Sequence, residues 1–310
     1  MTSHRLYKPI QQQEEHTMAE KLRFPNEYPE GMQVLYADHS RPQHPNYYPD
    51  VVYVERNRPL SLQIISQSNP GERNPALVFV QGSGWQPQKI KLYMPKLMAF
   101  ARAGYVVVSV EYRYSEEAGY PAQIQDTRTA IRYVKAHAEE LGVDPERIAL
   151  MGDSSGGHTV LMSGLTDAAD LDTPEYGEYS ADVAAVIDYY APTDMSQMFE
   201  IAGEGEIPEE VRQNLLLYRH AKTYEEAREL QQLSNPLRYI RKERPLPPVL
   251  ILHGDEDPIV PFHQSVILFE KLRACGHKAE FYKILGAGHG MGTWIPEVDD
   301  VVIRFLKAHV

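Results

Sequence analysis

Cysteine is almost missing from this sequence. Cys275 stands alone, so no disulfide can close within the chain. Nothing around it marks a thiol nucleophile, and it reads as a residue of a helix core. Long apolar runs are missing too. No stretch nears the roughly eighteen residues that read as a membrane-crossing helix. Where a secretory signal would carry its apolar centre, the chain has Gln11-Gln12-Gln13-Glu14-Glu15. On that ground a cytoplasmic protein is expected. Positive charge is in deficit: Lys+Arg 31 against Asp+Glu 43 leaves −12, which argues against nucleic acid and membrane surfaces as partners. The histidines form no His-Glu-x-x-His and no His/Cys group at ligand spacing, so no metal is expected. Gly82-Ser83-Gly84 is not followed by the lysine of a phosphate loop.

What is present is chemistry at the ends of apolar runs. Gly152-Asp153-Ser154-Ser155-Gly156 follows Ile148-Ala149-Leu150-Met151 and opens a segment with helical character. A Gly-x-Ser-x-Gly in that setting is a nucleophile elbow, which thrusts its serine out of a sharp strand-to-helix turn. The flanking glycines suit a turn too tight for a Cβ. A serine hydroxyl is a weak nucleophile, so a base must take its proton, and that imidazole needs a buried carboxylate to fix its tautomer. Both follow in the chain. His253-Gly254-Asp255-Glu256-Asp257-Pro258 ends the run Val249 to Leu252, and Gly286-Ala287-Gly288-His289-Gly290 ends the run Phe281 to Leu285. The order Ser154, Asp257, His289 is that of the α/β-hydrolase fold.

Met1 to about Asp50 is polar and Pro/Tyr-rich, and reads as an N-terminal arm (1–50) before the main domain (51–310). Strands are expected at Val51–Val54, Leu60–Ile65, Ala76–Val80, Tyr105–Val110, in the run before the elbow, and at Val183–Tyr189. Helices are expected at Leu92–Ala103, at Ala122–Leu141 as one long element, and at Ser155–Leu165. Such alternation, with near-continuous apolar strands, predicts a mostly parallel sheet covered by helices on both faces. Ligands in such sheets bind at the carboxyl ends of the strands, where every motif above sits. Between about Pro192 and Pro245 the pattern breaks into an excursion over that face. Pro208–Arg219 and Tyr224–Leu233 look helical there, and Met195, Met198, Phe199, Leu215, Leu217 and Tyr218 give it apolar content. Either a lid that shapes the substrate pocket or a packing insert fits this segment.

Five segments carry a family resemblance. Val80-Gln81-Gly82-Ser83-Gly84-Trp85 resembles the His-Gly-Gly-Gly-Trp loop of the hormone-sensitive-lipase-like and feruloyl/acetyl (BD-FAE-like) esterase branches of the α/β-hydrolases. Val110-Glu111-Tyr112-Arg113-Tyr114 resembles their Asp-Tyr-Arg-Leu, and Tyr120-Pro121-Ala122 through Asp126 their Phe-Pro-Ala…Asp. Gly152 to His158 is similar to Gly-Asp-Ser-x-Gly-Gly-His, and Asp257 and His289 fall where the family has its acid and base. The resemblance runs from about Val51 to the C-terminus, outside the arm and the excursion. It implies an eight-stranded α/β-hydrolase fold with a small helical cap insertion, and a serine esterase acting on short acyl or acylated-sugar (acetyl or feruloyl) esters without a cofactor. It places the oxyanion hole at the backbone N–H groups of Gly82, Ser83 and Ser155. The partners expected are a small-molecule ester and, as an open option, a second copy of the chain in a homodimer.

The match has departures, and some of its residues have rivals. Gln81 and Ser83 replace a histidine and a glycine of the family loop; Ser83 either restricts the loop or adds a hydroxyl donor. Asp255 and Glu256 rival Asp257, and the family register, with Pro258 and Val260-Pro261 following, selects Asp257. His158 reads as structural in the helix below the elbow, His253 as a packed strand end, and His263 as the start of a helix. Trp85 is either a pocket wall, the reading its place beside the loop favours, or a cap on the core edge. Arg113 and Asp126 read as a buried ion pair. A small peptidase of the prolyl-oligopeptidase type and a non-catalytic binding protein on the same fold are the alternatives.

Overall fold

The computed structural model describes residues 30–33, 35, 44–68, 71–167, 171–196 and 230–310. The expected strands form one eight-stranded sheet: β1 (Asn46–Glu55), β2 (Pro59–Ser66), β3 (Asn74–Val80), β4 (Val106–Val110), β5 (Val143–Asp153), β6 (Ala185–Tyr189), β7 (Val249–Gly254) and β8 (Ala279–Ile284). Their spatial order is β1-β2-β4-β3-β5-β6-β7-β8. The first three of these pair antiparallel, and every later pair is parallel. Strand β1 begins at Asn46 and so takes in the last residues read as arm from sequence. Its pairing with β2 slips twice, after Tyr48 and after Val52, a common way for an edge strand to end its own regularity.

The central strands are buried along their whole length, as β4 (VVVSV) and β6 (AVIDY) show. That is the pattern of strands covered on both faces. Alternate side chains serve alternate cores. Val78, Val80, Val108 and Val110 meet Ile131, Val134, Leu161, Leu268 and Leu272 on one face. Leu77, Phe79 and Val107 meet Leu97, Phe100, Val302 and Phe305 on the other. The first face is covered by α2 (Ala122–Ala136), α4 (Ser155–Leu165) and α5 (His263–Ala274), the second by α1 (Ile90–Arg102) and α6 (Pro296–His309).

The long helix expected over 122–141 is broken. Helix α2 ends at Ala136, and a short α3 (Ala138–Leu141) follows. His137 lies between them at φ −108°, ψ 22°. Its ring stacks on Tyr133 at 4.0 Å, and its Nδ1 reaches the Tyr133 carbonyl at 2.9 Å. The Tyr133 carbonyl also keeps the His137 amide at 3.0 Å, so the helix runs intact to His137 and turns off there.

Of the excursion, residues 192–196 and 230–245 are described; the helix expected at Pro208–Arg219 and most of that at Tyr224–Leu233 lie outside the described residues. Both flanks are tied down. Gln264 Oε1, on α5, accepts the amides of Thr193 and Asp194, each at 2.7 Å. At the far flank the Ser234 carbonyl lies 2.6 Å from His158 Nε2 on α4, and a turn of 3-10 helix follows at Pro236–Tyr239. Among the described residues, no helix is long and apolar enough to cross a membrane.

Candidate active site

The elbow forms where β5 meets α4. Ser154 adopts φ 53°, ψ −126°, a conformation that costs an L-residue on the order of 1–3 kcal/mol and persists only where its surroundings enforce it. Here they do. The Ser154 amide donates to the Tyr189 carbonyl at 2.9 Å. Behind it, a Cβ on Gly156 would stand 2.1 Å from the Val80 carbonyl oxygen. Glycine at 156 is therefore a packing requirement: the end of β3 touches the helix backbone itself.

The parallel register carries the ends of β7 and β8 to the same edge of the sheet. The loop after β7 holds Asp257 and the loop after β8 holds His289. His289 Nε2 lies 2.9 Å from Ser154 Oγ, and its Nδ1 lies 2.7 Å from Asp257 Oδ2. With Asp257 ionised, Nδ1–H donates to the carboxylate, which leaves Nε2 as acceptor for the serine hydroxyl. The Asp257 side chain is 0% exposed and that of His289 17%. Burial works to raise the Asp257 carboxyl, but hydrogen bonds from His253 and His289 outweigh it and hold it well below the usual range. Its second oxygen accepts the amides of Ile259 and Val260 at 2.8 and 2.9 Å.

The rival residues have other partners. Asp255 accepts the Gly286 amide at 2.7 Å and faces Lys283. His263 opens α5. His253 is the packed strand end expected from sequence, bonded to Ser265 Oγ at 2.7 Å. It also lies 3.4 Å from Asp257 Oδ2, so it helps to hold the carboxylate. Arg113 grips Asp126 with two contacts of 2.9 Å, and Arg56 adds a third at 3.1 Å.

The loop after β3 abuts the elbow: a Cβ on Gly82 would lie 2.8 Å from that of Ser154. The amides named from sequence are already engaged. Gly82 N–H donates to Asp153 Oδ1 at 2.8 Å, and Ser83 N–H to Ser155 Oγ at 2.9 Å. Gly84 N–H has no acceptor among the described residues. Ser155 N–H, in the first turn of α4, has no intrahelical partner by construction. Trp85 lies inside the loop. The residue is 3% exposed, and its ring meets that of His158 edge-on at 5.5 Å.

Sequence reasoning gave Asp153 and Tyr190 no role. Asp153 is fully buried, and burial pushes its carboxyl up to about 6, partly offset by the Gly82 amide, Lys96 and His289. Its Oδ2 accepts the hydroxyls of Tyr93 and Tyr190, each at 3.3 Å. The Tyr190 ring sits 4.8 Å from that of His289, and its hydroxyl accepts Trp294 Nε1–H at 3.1 Å. The available signal was adjacency: Asp153 precedes the nucleophile, and Tyr190 follows a strand end at the same sheet edge.

The BD-FAE family model matches residues 62–272. The chain belongs to the BD-FAE family. Esterase LipC of Mycobacterium tuberculosis is 31% identical over 229 residues, covering 71% of this chain and 54% of LipC. The chain spans about half the length of the curated relatives it matches. A truncated form of a carbohydrate esterase from gut microbiota superposes with a TM-score of 0.75 at 27% identity, covering 86% of this chain and 97% of that one. Thermogutta terrifontis esterase 2, phosphonylated by sarin, superposes with a TM-score of 0.69 at 26% identity, covering 86% and 95%. With the sheet order above, these likenesses give this BD-FAE chain the α/β-hydrolase fold.

Proposed function

We propose that the chain is a serine carboxylesterase. The observation that carries this reading is the unbroken contact line from Ser154 Oγ through His289 to Asp257, at 2.9 and 2.7 Å. His289 Nε2 takes the Ser154 proton as the oxygen attacks an ester carbonyl, and the C=O π pair moves onto oxygen. Asp257 stabilises the imidazolium. The oxyanion is held by the Ser155 amide and by the loop after β3, where Gly84 contributes the donor that Gly82 and Ser83 have committed elsewhere. Each such donor contributes roughly 3–4 kcal/mol. Collapse expels the alcohol, protonated by His289, and leaves an acyl-Ser154 ester. Water, deprotonated by His289, then releases the acid and restores the serine.

Short acyl esters, including acetyl or feruloyl groups on sugars, are the substrates this reading favours. Membership of BD-FAE and the likeness to a carbohydrate esterase support it. The likeness to an esterase that is phosphonylated by sarin is in keeping with this reading. Ser154→Ala is the test: hydrolysis of p-nitrophenyl acetate is expected to fall by at least about 10⁴-fold, and full retention of activity would refute the assignment. A graded acyl series together with methyl ferulate then defines the acyl group.

A further inference from the structure

Ser155 does more than lend an amide. Its hydroxyl oxygen accepts two loop amides, Ser83 N–H at 2.9 Å and Trp85 N–H at 3.3 Å. The Tyr112 hydroxyl lies 3.1 Å from Ser83 Oγ. Ser83 Oγ donates to the Gln86 carbonyl at 2.6 Å. One proton order satisfies this set. A carbonyl only accepts, so the single Ser83 hydrogen goes to Gln86. Ser83 Oγ must then accept from Tyr112. Two anchors result: Ser155 Oγ takes the Ser83 and Trp85 amides, and Tyr112 O–H donates to Ser83 Oγ, whose own hydrogen goes to the Gln86 carbonyl. Ser155 and Tyr112 are 2% and 1% exposed, so water does not compete for these bonds.

The consequence is positional. Ser83 and Trp85 flank Gly84, and both of their amides converge on one oxygen atom of the residue after the nucleophile. The Gly84 peptide is clamped from both sides to the helix that carries the elbow. We propose that these two anchors set the oxyanion loop, with Ser155, through its hydroxyl, and Tyr112, through Ser83, acting as positioning residues for the Gly84 amide. This inference rests on the serine-esterase reading. It also explains the serine at position 83, which receives the Tyr112 hydrogen and passes its own to the turn.

The test uses the full chain with p-nitrophenyl acetate as substrate and an aryl trifluoromethyl ketone as transition-state probe. Ser155→Ala and Tyr112→Phe are each expected to lower kcat roughly ten- to a hundred-fold, with KM within about twofold, because a mispositioned donor affects the oxyanion and not the bound ester. Ketone affinity should fall in parallel. Wild-type kcat in folded Ser155→Ala or Tyr112→Phe overturns the inference, as does an equal loss in KM and kcat/KM at constant kcat. Should Ser155→Ala fail to fold, Tyr112→Phe, which removes one oxygen only, decides the question in the same way. Ser154→Ala run alongside separates the two readings: an inactive Ser154→Ala with a fully active Ser155→Ala refutes only the positioning anchors, whereas an active Ser154→Ala refutes the serine mechanism itself.

Discussion

Asp153 Oδ1 accepts the Gly82 amide at 2.8 Å, so the residue before the nucleophile is bonded to the loop that faces it. Its other oxygen takes the Tyr190 hydroxyl, and Tyr190 packs against the His289 ring. One buried carboxylate thus touches the supports of both the oxyanion loop and the base.

Burial raises the Asp153 carboxyl from 3.8 to about 6. The folded protein therefore holds this proton more tightly than the unfolded chain. The stability gained from that proton is present below about pH 4 and is lost as pH rises through about 6. Asp153→Asn keeps an acceptor for Gly82 but does not titrate. Urea unfolding from pH 4 to 7 should show wild-type stability falling relative to Asp153→Asn up to about pH 6, then running parallel. A gap that is constant across the range would contradict the titration.

Tyr190→Phe keeps the ring beside His289 and removes the acceptor for Trp294 Nε1–H and the donor to Asp153. A loss of about 1 kcal/mol in unfolding free energy is expected, with kcat changed less than about threefold. Denaturant melts and steady-state kinetics on the same preparation check both halves.

Gly156→Ala places a methyl group 2.1 Å from the Val80 carbonyl oxygen. Backbone faces backbone there, so no side chain can yield. The variant should lose at least about 1–3 kcal/mol and most of its esterase activity, because the shift pushes β3 away from the elbow. A soluble, fully active Gly156→Ala would contradict the packing.

Arg113→Met leaves Asp126 buried with Arg56 as its remaining ionic partner. Breaking a buried pair in this way costs about 3–5 kcal/mol. The pair lies away from the Ser154–His289 contact, so activity per folded molecule should stay at the wild-type level. Titrating active sites with a fluorophosphonate separates fewer folded molecules from slower ones.

The elbow and its partners were legible in sequence because each of Ser154, Asp257 and His289 ends an apolar run. Parallel strands have no choice but to deliver such ends to one edge. Ser155–Leu165 matched its helix residue for residue, since the elbow fixes its start. What sequence hid was set by contacts between distant segments. The His137 ring, at the helix break, meets Tyr176 edge-on at 5.9 Å. The burial of Trp85 depends on His158 beneath it. The engagement of the Gly82 and Ser83 amides depends on the side chains of Asp153 and Ser155, which a motif read for its glycines treats as spacers.

Gln264 receives both amides at one flank of the 192–245 excursion, and His158 meets a carbonyl at the other. These moorings lie on α5 and α4, not on the stretch they hold. Grafts of different length or composition between residues 196 and 230 should then leave the nucleophile undisturbed. That makes the two moorings, rather than the segment between them, the contacts to keep when the stretch is exchanged.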